Sequence, residues 1–206
     1  MSRRIDRLVT SGVFSLDGQD FDVDNNVWLI GDDDEVYVVD AAHEPGKIRA
    51  AIGTRRLLGV ISTHGHNDHI NAAIEVAGDA PVYLHPDDQM LWDVIYPGIT
   101  PQPLSDGKAF EVAGLTLTVL HTPGHSPGAV CLYVPELHTL LSGDTLFCGG
   151  PGATGRSYSS FPTILNSIRT RLLELPTSTT VLTGHGDSTT IGDEAGGYDD
   201  WVTRGH

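Results

Sequence analysis

The chain has 206 residues, of which 39% are hydrophobic and 19% are charged, and this length and balance predict one globular domain over residues 1–206. Acidic residues outnumber Lys and Arg by 27 to 12, and the formal charge of −15 argues against nucleic acid as a partner, because such a field repels phosphate. No apolar run approaches the length that spans a bilayer, which argues against a membrane role.

Eight short apolar runs predict β-strands, because they are rich in Val, Ile, Leu and Thr and are bounded by turn residues. In chain order they are NNVWLIG (25–31), EVYVVDAA (35–42), LLGVIS (57–62), APVYLH (80–85), LTLTVL (115–120), AVCLYV (129–134), TLLSGD (139–144) and TTVLTG (179–184). Helices are predicted between and after these runs, at 45–53, 67–77, 87–95, 162–174 and 193–204. Strands this apolar on both faces need cover on both sides, so the expected architecture is a layered α/β fold with two sheets inside and helices outside.

The two cysteines and the amino-terminal segment bear on the compartment. Cys131 and Cys148 predict a reduced pair rather than a disulfide, and Cys148 is expected to be a buried, inert thiol. The first 20 residues contain no hydrophobic signal segment, because Asp6, Ser11 and Asp17 interrupt them. These features predict a cytoplasmic protein.

Four of the predicted strands end in metal-ligand residue types next to glycine. Loops that leave one edge of two packed sheets can converge, so we expect these side chains to meet. They are His64, His66, Asp68 and His69 after the third run, and His125, Asp144 and His185 after three later runs. Their number and type predict a site for two metal ions.

The donors divide into two sets. One ion would be held by His64, His66 and His125, and a second by Asp68, His69 and His185. Asp144 would bridge the two ions through its two carboxylate oxygens. Imidazole and carboxylate are the ligands of zinc, with iron and manganese also accepted. A water shared by two such ions becomes the nucleophile of a hydrolase, and Asp68 is expected to accept a hydrogen bond from it and direct it at a carbonyl.

The remaining histidines are predicted to be structural or surface residues; these are His43, His85, His121, His138 and His206. Asp40 follows an apolar run and has two interpretations. It is either a carboxylate that orients a metal-binding imidazole or a turn residue at a strand end. The glycine-rich segment 147–162 predicts a surface loop of the kind that often lines a site.

The motifs THGHNDH, HTPGHSPG, SGDTLF and TGHGDSTTIGDE, in this order, resemble those of the metallo-β-lactamase superfamily of metallohydrolases. The resemblance covers nearly the whole chain. It implies a four-layer αββα sandwich with the metals at one edge, and its usual ligand scheme agrees with the two sets above.

Within the superfamily, the chain is most similar to the short, glyoxalase II-like thioesterases, through TGHGDSTTIGDE and GATGRSY. In glyoxalase II a basic residue and a tyrosine after the bridging Asp bind the thiol carrier, so the resemblance implies this role for Arg156 and Tyr158. An exposed loop charge is the alternative for Arg156. Glyoxalase II also has a helical domain that helps to bind glutathione; this chain is too short to include one, which points to another thiol.

A thioester is the simplest substrate for such a site. A thiolate leaves without first being protonated, whereas an amine leaving group needs a proton donor. The predicted activity is therefore hydrolysis of an anionic thioester of a small thiol. A mononuclear iron persulfide dioxygenase, a lactone hydrolase of the same superfamily and a binding module with a vestigial site are the alternatives.

Overall fold

Two six-stranded sheets form the centre of the protein, which is described here by a computed structural model for residues 2–205. The first sheet contains, from edge to edge, β1 (Arg4–Leu16), β2 (Gln19–Gly31), β3 (Glu35–Val39), β4 (Arg56–Ile61), β5 (Val82–Leu84) and β6 (Gln102–Pro103). The second contains, in spatial order, β14 (Thr189–Thr190), β13 (Thr180–Thr183), β10 (Thr139–Gly143), β9 (Val130–Val134), β8 (Leu115–His121) and β7 (Ala109–Val112). A separate ribbon pairs β11 (Leu146–Phe147) with β12 (Gly150–Pro151).

Helices cover the outer faces of both sheets. They are α1 (Pro45–Ile52), α2 (Asn67–Ile70), α3 (Ala73–Ala77), α4 (Gln89–Ile95), α5 (Phe161–Ser167), α6 (Ile191–Ala195) and α7 (Tyr198–Arg204). Short 3₁₀ turns lie at Pro86–Asp88 and Pro135–Leu137, and α5 continues into a π-helical turn at Ile168–Leu172. Within residues 2–205 no helix is long and apolar enough to cross a membrane.

Three apolar clusters separate the layers. One packs Val38 of the first sheet against Ile48 of α1 and Trp92 of α4. The second lies between the sheets, and the third packs the outer face of the second sheet against α5 and α7. This order of helix, sheet, sheet and helix confirms the predicted αββα sandwich.

The predicted strands are all present, but several elements differ from the prediction. The strand predicted at 25–31 begins at Gln19 and pairs along its whole length with β1, which the sequence analysis missed. The helix predicted at 67–77 is two short helices, α2 and α3, with a break after Ile70. The helix predicted at 193–204 is also divided, into α6 and α7. The extent of the domain over all of residues 1–206 stays a prediction.

Replacing Leu117 with alanine tests the layer between the sheets. Leu117 is fully buried in that cluster, so Leu117→Ala removes apolar contacts and leaves a cavity. We expect the free energy of unfolding, measured by urea denaturation, to fall by about 2–5 kcal/mol. The matched control is Thr118→Ala, on the opposite face of the same strand and only partly buried, which should cost less than about 1 kcal/mol. Equal losses in the two variants would contradict this packing.

Candidate metal centre

The structure brings the seven predicted donor residues together at the carboxyl ends of β4, β8, β10 and β13. Of these, β8, β10 and β13 deliver their loops to one edge of the second sheet, because β10 runs parallel to β13, and β8 is antiparallel to β9, which is antiparallel to β10. The loop after β4 comes from the first sheet and meets them there. Two groups of donor atoms, each within 4.8 Å of one another, match the predicted sets. They are His64, His66 and His125, and Asp68, His69 and His185.

The first set is a cluster of three imidazoles. Nε2 of His64 lies 3.0 Å from Nδ1 of His66, and that Nδ1 lies 3.0 Å from Nε2 of His125. Nδ1 of His125 donates to the carbonyl oxygen of Ala153 at 2.8 Å, so its Nε2 presents a lone pair to the cluster. One proton on Nδ1 of His66 could serve only one of its two contacts, so at least one of these close nitrogen pairs has no hydrogen bond.

The second set combines imidazoles with a carboxylate. Nε2 of His69 lies 3.2 Å from Nε2 of His185, and the latter lies 3.3 Å from Oδ2 of Asp68. Nδ1 of His185 is 2.8 Å from the carbonyl oxygen of Asp24, which turns Nε2 towards the site.

Asp144 lies between the two sets. Its Oδ2 is 3.6 Å from Nε2 of His125 and 3.5 Å from Nε2 of His185. Its Oδ1 is 3.5 Å from Nε2 of His69. A carboxylate that contacts both sets has the position that a bridging ligand requires.

The donor atoms fit a pair of cations. Besides this close nitrogen pair, Oδ1 of Asp68, Oδ1 of Asp144 and Nε2 of His66 are buried without a hydrogen-bond partner. Buried polar atoms in native proteins almost always have partners, and a metal ion supplies one where donors converge. The clusters of histidine and aspartate are therefore suited to a dinuclear metal site.

The pKa values in the centre show the same demand for positive charge. Burial and the imidazole of His125 lower the pKa of His66 to about 3, so His66 is a neutral donor. Burial acts in the same direction on His185, but the carboxylate of Asp144 outweighs it and raises the pKa of His185 to about 10. The carboxylates of Asp144, Asp68 and Asp40 likewise outweigh burial and raise the pKa of His69. Protonated imidazoles thus offset the buried carboxylates in the protein alone, and divalent cations would replace those protons.

Asp40 makes the contact expected of an orienting carboxylate. Its Oδ2 lies 3.0 Å from Nδ1 of His69, and its Oδ1 accepts the backbone N–H of Thr63 at 2.7 Å. The hydroxyl of Thr63 also donates to Oδ2 of Asp40, at 2.8 Å. The carboxylate thereby holds His69 with Nε2 directed at the other donors.

Asn25 is a buried contact of the centre that the sequence analysis missed. Its Nδ2 donates to Oδ2 of Asp68 at 3.2 Å, and its Oδ1 accepts from Nε2 of His43 at 2.9 Å. Nδ2 of Asn71 donates to Nδ1 of His43 at 3.0 Å, which fixes the proton of His43 on Nε2. A chain of hydrogen bonds thus orients Asp68 from behind.

The predicted substrate-binding pair lies beside the pocket rather than in its lining. The guanidinium of Arg156 packs over the ring of Phe21 at 4.7 Å and donates to Oε1 of Gln19 at 3.1 Å, so it contacts the β1–β2 hairpin. Tyr158 is exposed. A role of Arg156 and Tyr158 in substrate binding stays a prediction.

The other predicted features have mixed outcomes. His85 and His121 stack with ring centroids 4.1 Å apart, and His138 lies in a left-handed turn after Pro135–Leu137. His206 lies outside the described residues. Cys131 is buried and Cys148 is exposed, so the expectation of a buried thiol at Cys148 was wrong, because the loop after β11 carries that residue to the surface.

A cavity of about 420 Å³ opens beside the donors. Besides donors from both sets, it is lined by apolar side chains from the β1–β2 hairpin and the loop after β10. These are Phe14, Val23, Phe147 and Ala153. Phe14 contacts the ring of His66 edge-on, with centroids 5.3 Å apart, so the hairpin forms one wall directly against the first set.

This fold and donor arrangement define a metal-dependent hydrolase of the metallo-beta-lactamase superfamily. The model of that family matches residues 21–185, and the chain belongs to it.

Three known proteins show how near the similarity is. The "Probable metallo-hydrolase YqgX" of Bacillus subtilis (strain 168) is 37% identical over 184 residues, 81% of this chain and 87% of the relative. The "Hydroxyacylglutathione hydrolase GloC" of Haemophilus influenzae is 30% identical over 188 residues, 82% of this chain and 89% of the relative. A crystal structure of TTHA1623 in a di-iron-bound form matches with a TM-score of 0.74 and 36% identity, over 84% of this chain and 93% of that one.

Proposed function

We propose that this chain hydrolyses thioesters of a small thiol at a dinuclear centre, with zinc as the preferred metal. The observation that carries the proposal is the placement of Asp68. Its Oδ2 contacts His185 and Asn25, whereas its Oδ1 has no partner and the residue lines the cavity. One oxygen is thus available for the second donor set and the other for a reacting water.

The proposed ligands are the seven predicted residues: His64, His66 and His125 for one ion, Asp68, His69 and His185 for the other, and Asp144 between them. When bound, two divalent cations lower the pKa of a shared water and polarise the substrate carbonyl. Oδ1 of Asp68 accepts the proton of the attacking water and holds its oxygen beside the carbonyl carbon.

The bond changes favour a sulfur leaving group. Attack by water forms a carbon–oxygen bond, and the carbon–sulfur bond then breaks to release a thiolate. Because an ordinary thiol has a pKa of about 8.5, the thiolate leaves without a proton from the protein. The centre therefore needs no general acid for this reaction, in contrast to cleavage of an amide.

The cavity suits a small acyl compound. Its apolar walls of Phe14, Val23 and Phe147 exclude water around a bound acyl group and its sulfur. Four positive charges of two divalent ions exceed the negative charges of Asp68 and Asp144, so an anionic substrate is favoured despite the acidic chain. Arg156, which lies beside Phe14, is the proposed contact for the anionic end of the substrate. The exposed Tyr158 is proposed to bind the substrate next to it.

The similarity to GloC, a protein named as a hydroxyacylglutathione hydrolase, supports a thioester as the substrate class. The di-iron form of TTHA1623 supports two ions over one, against the alternative of a mononuclear iron dioxygenase. We propose that the protein acts in the cytoplasm on small-molecule thioesters. Neither nucleic acid nor a membrane is a proposed partner.

A substrate panel with metal analysis tests the proposal. Protein loaded with zinc, iron or manganese is assayed on thioesters of several small thiols, on lactones, and for oxygen uptake with a persulfide. We expect thiol release with the zinc form at two ions per chain. Oxygen uptake with one iron per chain, or turnover of lactones alone, would contradict thioester hydrolysis.

A further inference from the structure

A fully buried carboxylate, that of Asp88, joins the two loops that carry the first donor set. Its Oδ2 accepts the backbone N–H of Gly65 at 2.8 Å and the hydroxyl of Ser126 at 2.6 Å. Its Oδ1 accepts the backbone N–H of Gly128 at 2.6 Å. Gly65 stands between His64 and His66, and Ser126 follows His125 directly.

Asp88 forms no salt bridge within residues 2–205; burial raises the pKa of its carboxyl group, and the three hydrogen bonds act against that shift. Hydrogen bonds to an ionised acceptor are about twice as strong as neutral ones, and they are short here. An apolar residue at this position would leave two backbone N–H groups of different loops buried and unpaired.

Both loops pack directly against Asp88. A Cβ added to Gly65 would lie 3.0 Å from Cβ of Asp88, and one added to Gly128 would lie 2.8 Å from its Cγ. Both loops therefore approach the carboxylate as closely as glycine allows. The separation of the loops, and with it the 3.0 Å contact between His66 and His125, depends on this side chain.

We propose that Asp88 is a positioning residue that fixes the geometry of His64, His66 and His125 for one of the two metal ions. The inference rests on the dinuclear site of the proposed function. It assigns to Asp88 a selective effect on one ion, because none of its contacts is with Asp68, His69 or His185, which form the second set.

The test is metal binding by Asp88→Asn. The substitution replaces one carboxylate oxygen with an NH₂ group, which cannot accept a hydrogen bond from the backbone N–H that it faces. The apo protein is titrated with Co²⁺ and with Zn²⁺, and stoichiometry and visible absorption are recorded. We expect one ion to bind as in the wild type and the other to bind about 10–100-fold more weakly, with loss of its Co²⁺ absorption bands.

The matched control is Glu194→Gln, another buried carboxylate that accepts a backbone N–H, from Gly149, and a hydroxyl, from Thr189, but has no hydrogen bond to the two loops of the first donor set. It should lose stability in urea but keep the ion of the first set at wild-type affinity. If Asp88→Asn does not fold, Ser126→Ala removes one of the three hydrogen bonds and should weaken the same ion by a smaller factor.

If Asp88→Asn and Ser126→Ala bind both ions with the same affinities as the wild type, Asp88 has no positioning role. The proposed function would remain intact. Wild-type protein that binds no ion in this titration would overturn both.

Discussion

Replacing Asp68 with asparagine is expected to lower kcat by about 10³-fold, within the range of about 10²–10⁴ for loss of a general base. The amide has nearly the same shape, but it has no negative charge and cannot take a proton from water. Asp68 is 3% exposed and lines the cavity, so a carboxylate from the solvent cannot take over its role in the variant. Thiol release at saturating substrate measures the effect.

Two comparisons distinguish a role of Asp68 as a general base from a role as a metal ligand only. If Asp68 acted only as a ligand, excess metal would restore activity to Asp68→Asn; we expect no recovery at saturating metal. Asp187→Asn, an exposed carboxylate two residues after His185, controls for the loss of one negative charge near the site. A kcat for Asp68→Asn within threefold of the wild type would remove Asp68 from the proton transfer.

The donor set could be predicted because the fold places it by a simple rule. Apolar strands are the clearest signal in a sequence, and residues that follow strands of the same direction meet at one sheet edge. His125, Asp144 and His185 follow strands of one sheet and His64 follows a strand of the other, so their meeting required only that the two sheets pack with these edges on the same side.

The β1–β2 hairpin was missed although the chain contains a turn signal. Asp17 and Gly18 both have positive φ, 54° and 71°, as a two-residue type I′ hairpin turn requires. The strands around this turn project beyond the core, so their outer residues are mostly exposed and lack a strong apolar alternation. A wall of the cavity therefore went unpredicted.

The break between α2 and α3 has a tertiary cause. The side chain of Asn71 accepts the backbone N–H of His43 at 2.6 Å and donates to Nδ1 of the same residue. This anchors the chain at the end of α2 and fixes the direction of Asp68 and His69. Apolar periodicity over 67–77 reports only the face that packs on the core, and it contains no information on such contacts.

Asp88 and Asn25 escaped prediction because each has an ordinary local explanation. An aspartate at the start of a predicted helix is common there, since it favours the helix dipole, and an asparagine before an apolar run reads as a strand boundary. Their contacts, with Gly65, Gly128 and Asp68, are 23, 40 and 43 residues away in sequence. Only the assembled fold reveals them.

Removal of both metals is expected to abolish activity and to lower the melting temperature by roughly 15–30 °C. Each ion present at 1,000 times its Kd stabilises the folded state by about 4 kcal/mol, and 1 kcal/mol shifts a chain of this size by about 2–4 °C. Without the ions, the buried oxygens of Asp68 and Asp144 lose their partners. Thermal unfolding and thioester turnover are measured before and after dialysis against a chelator.

Asp144→Asn shows whether this stabilisation comes from the centre. Asp144 contacts both donor sets, so its amide variant should bind both ions more weakly, and chelation should shift its melting temperature by much less. Zinc should restore the wild type, whereas magnesium should not, because imidazole donors suit zinc and magnesium prefers oxygen ligands. An equal chelator shift in both proteins would mean that the stabilising ion binds elsewhere, since the change at Asp144 leaves the rest of the surface intact.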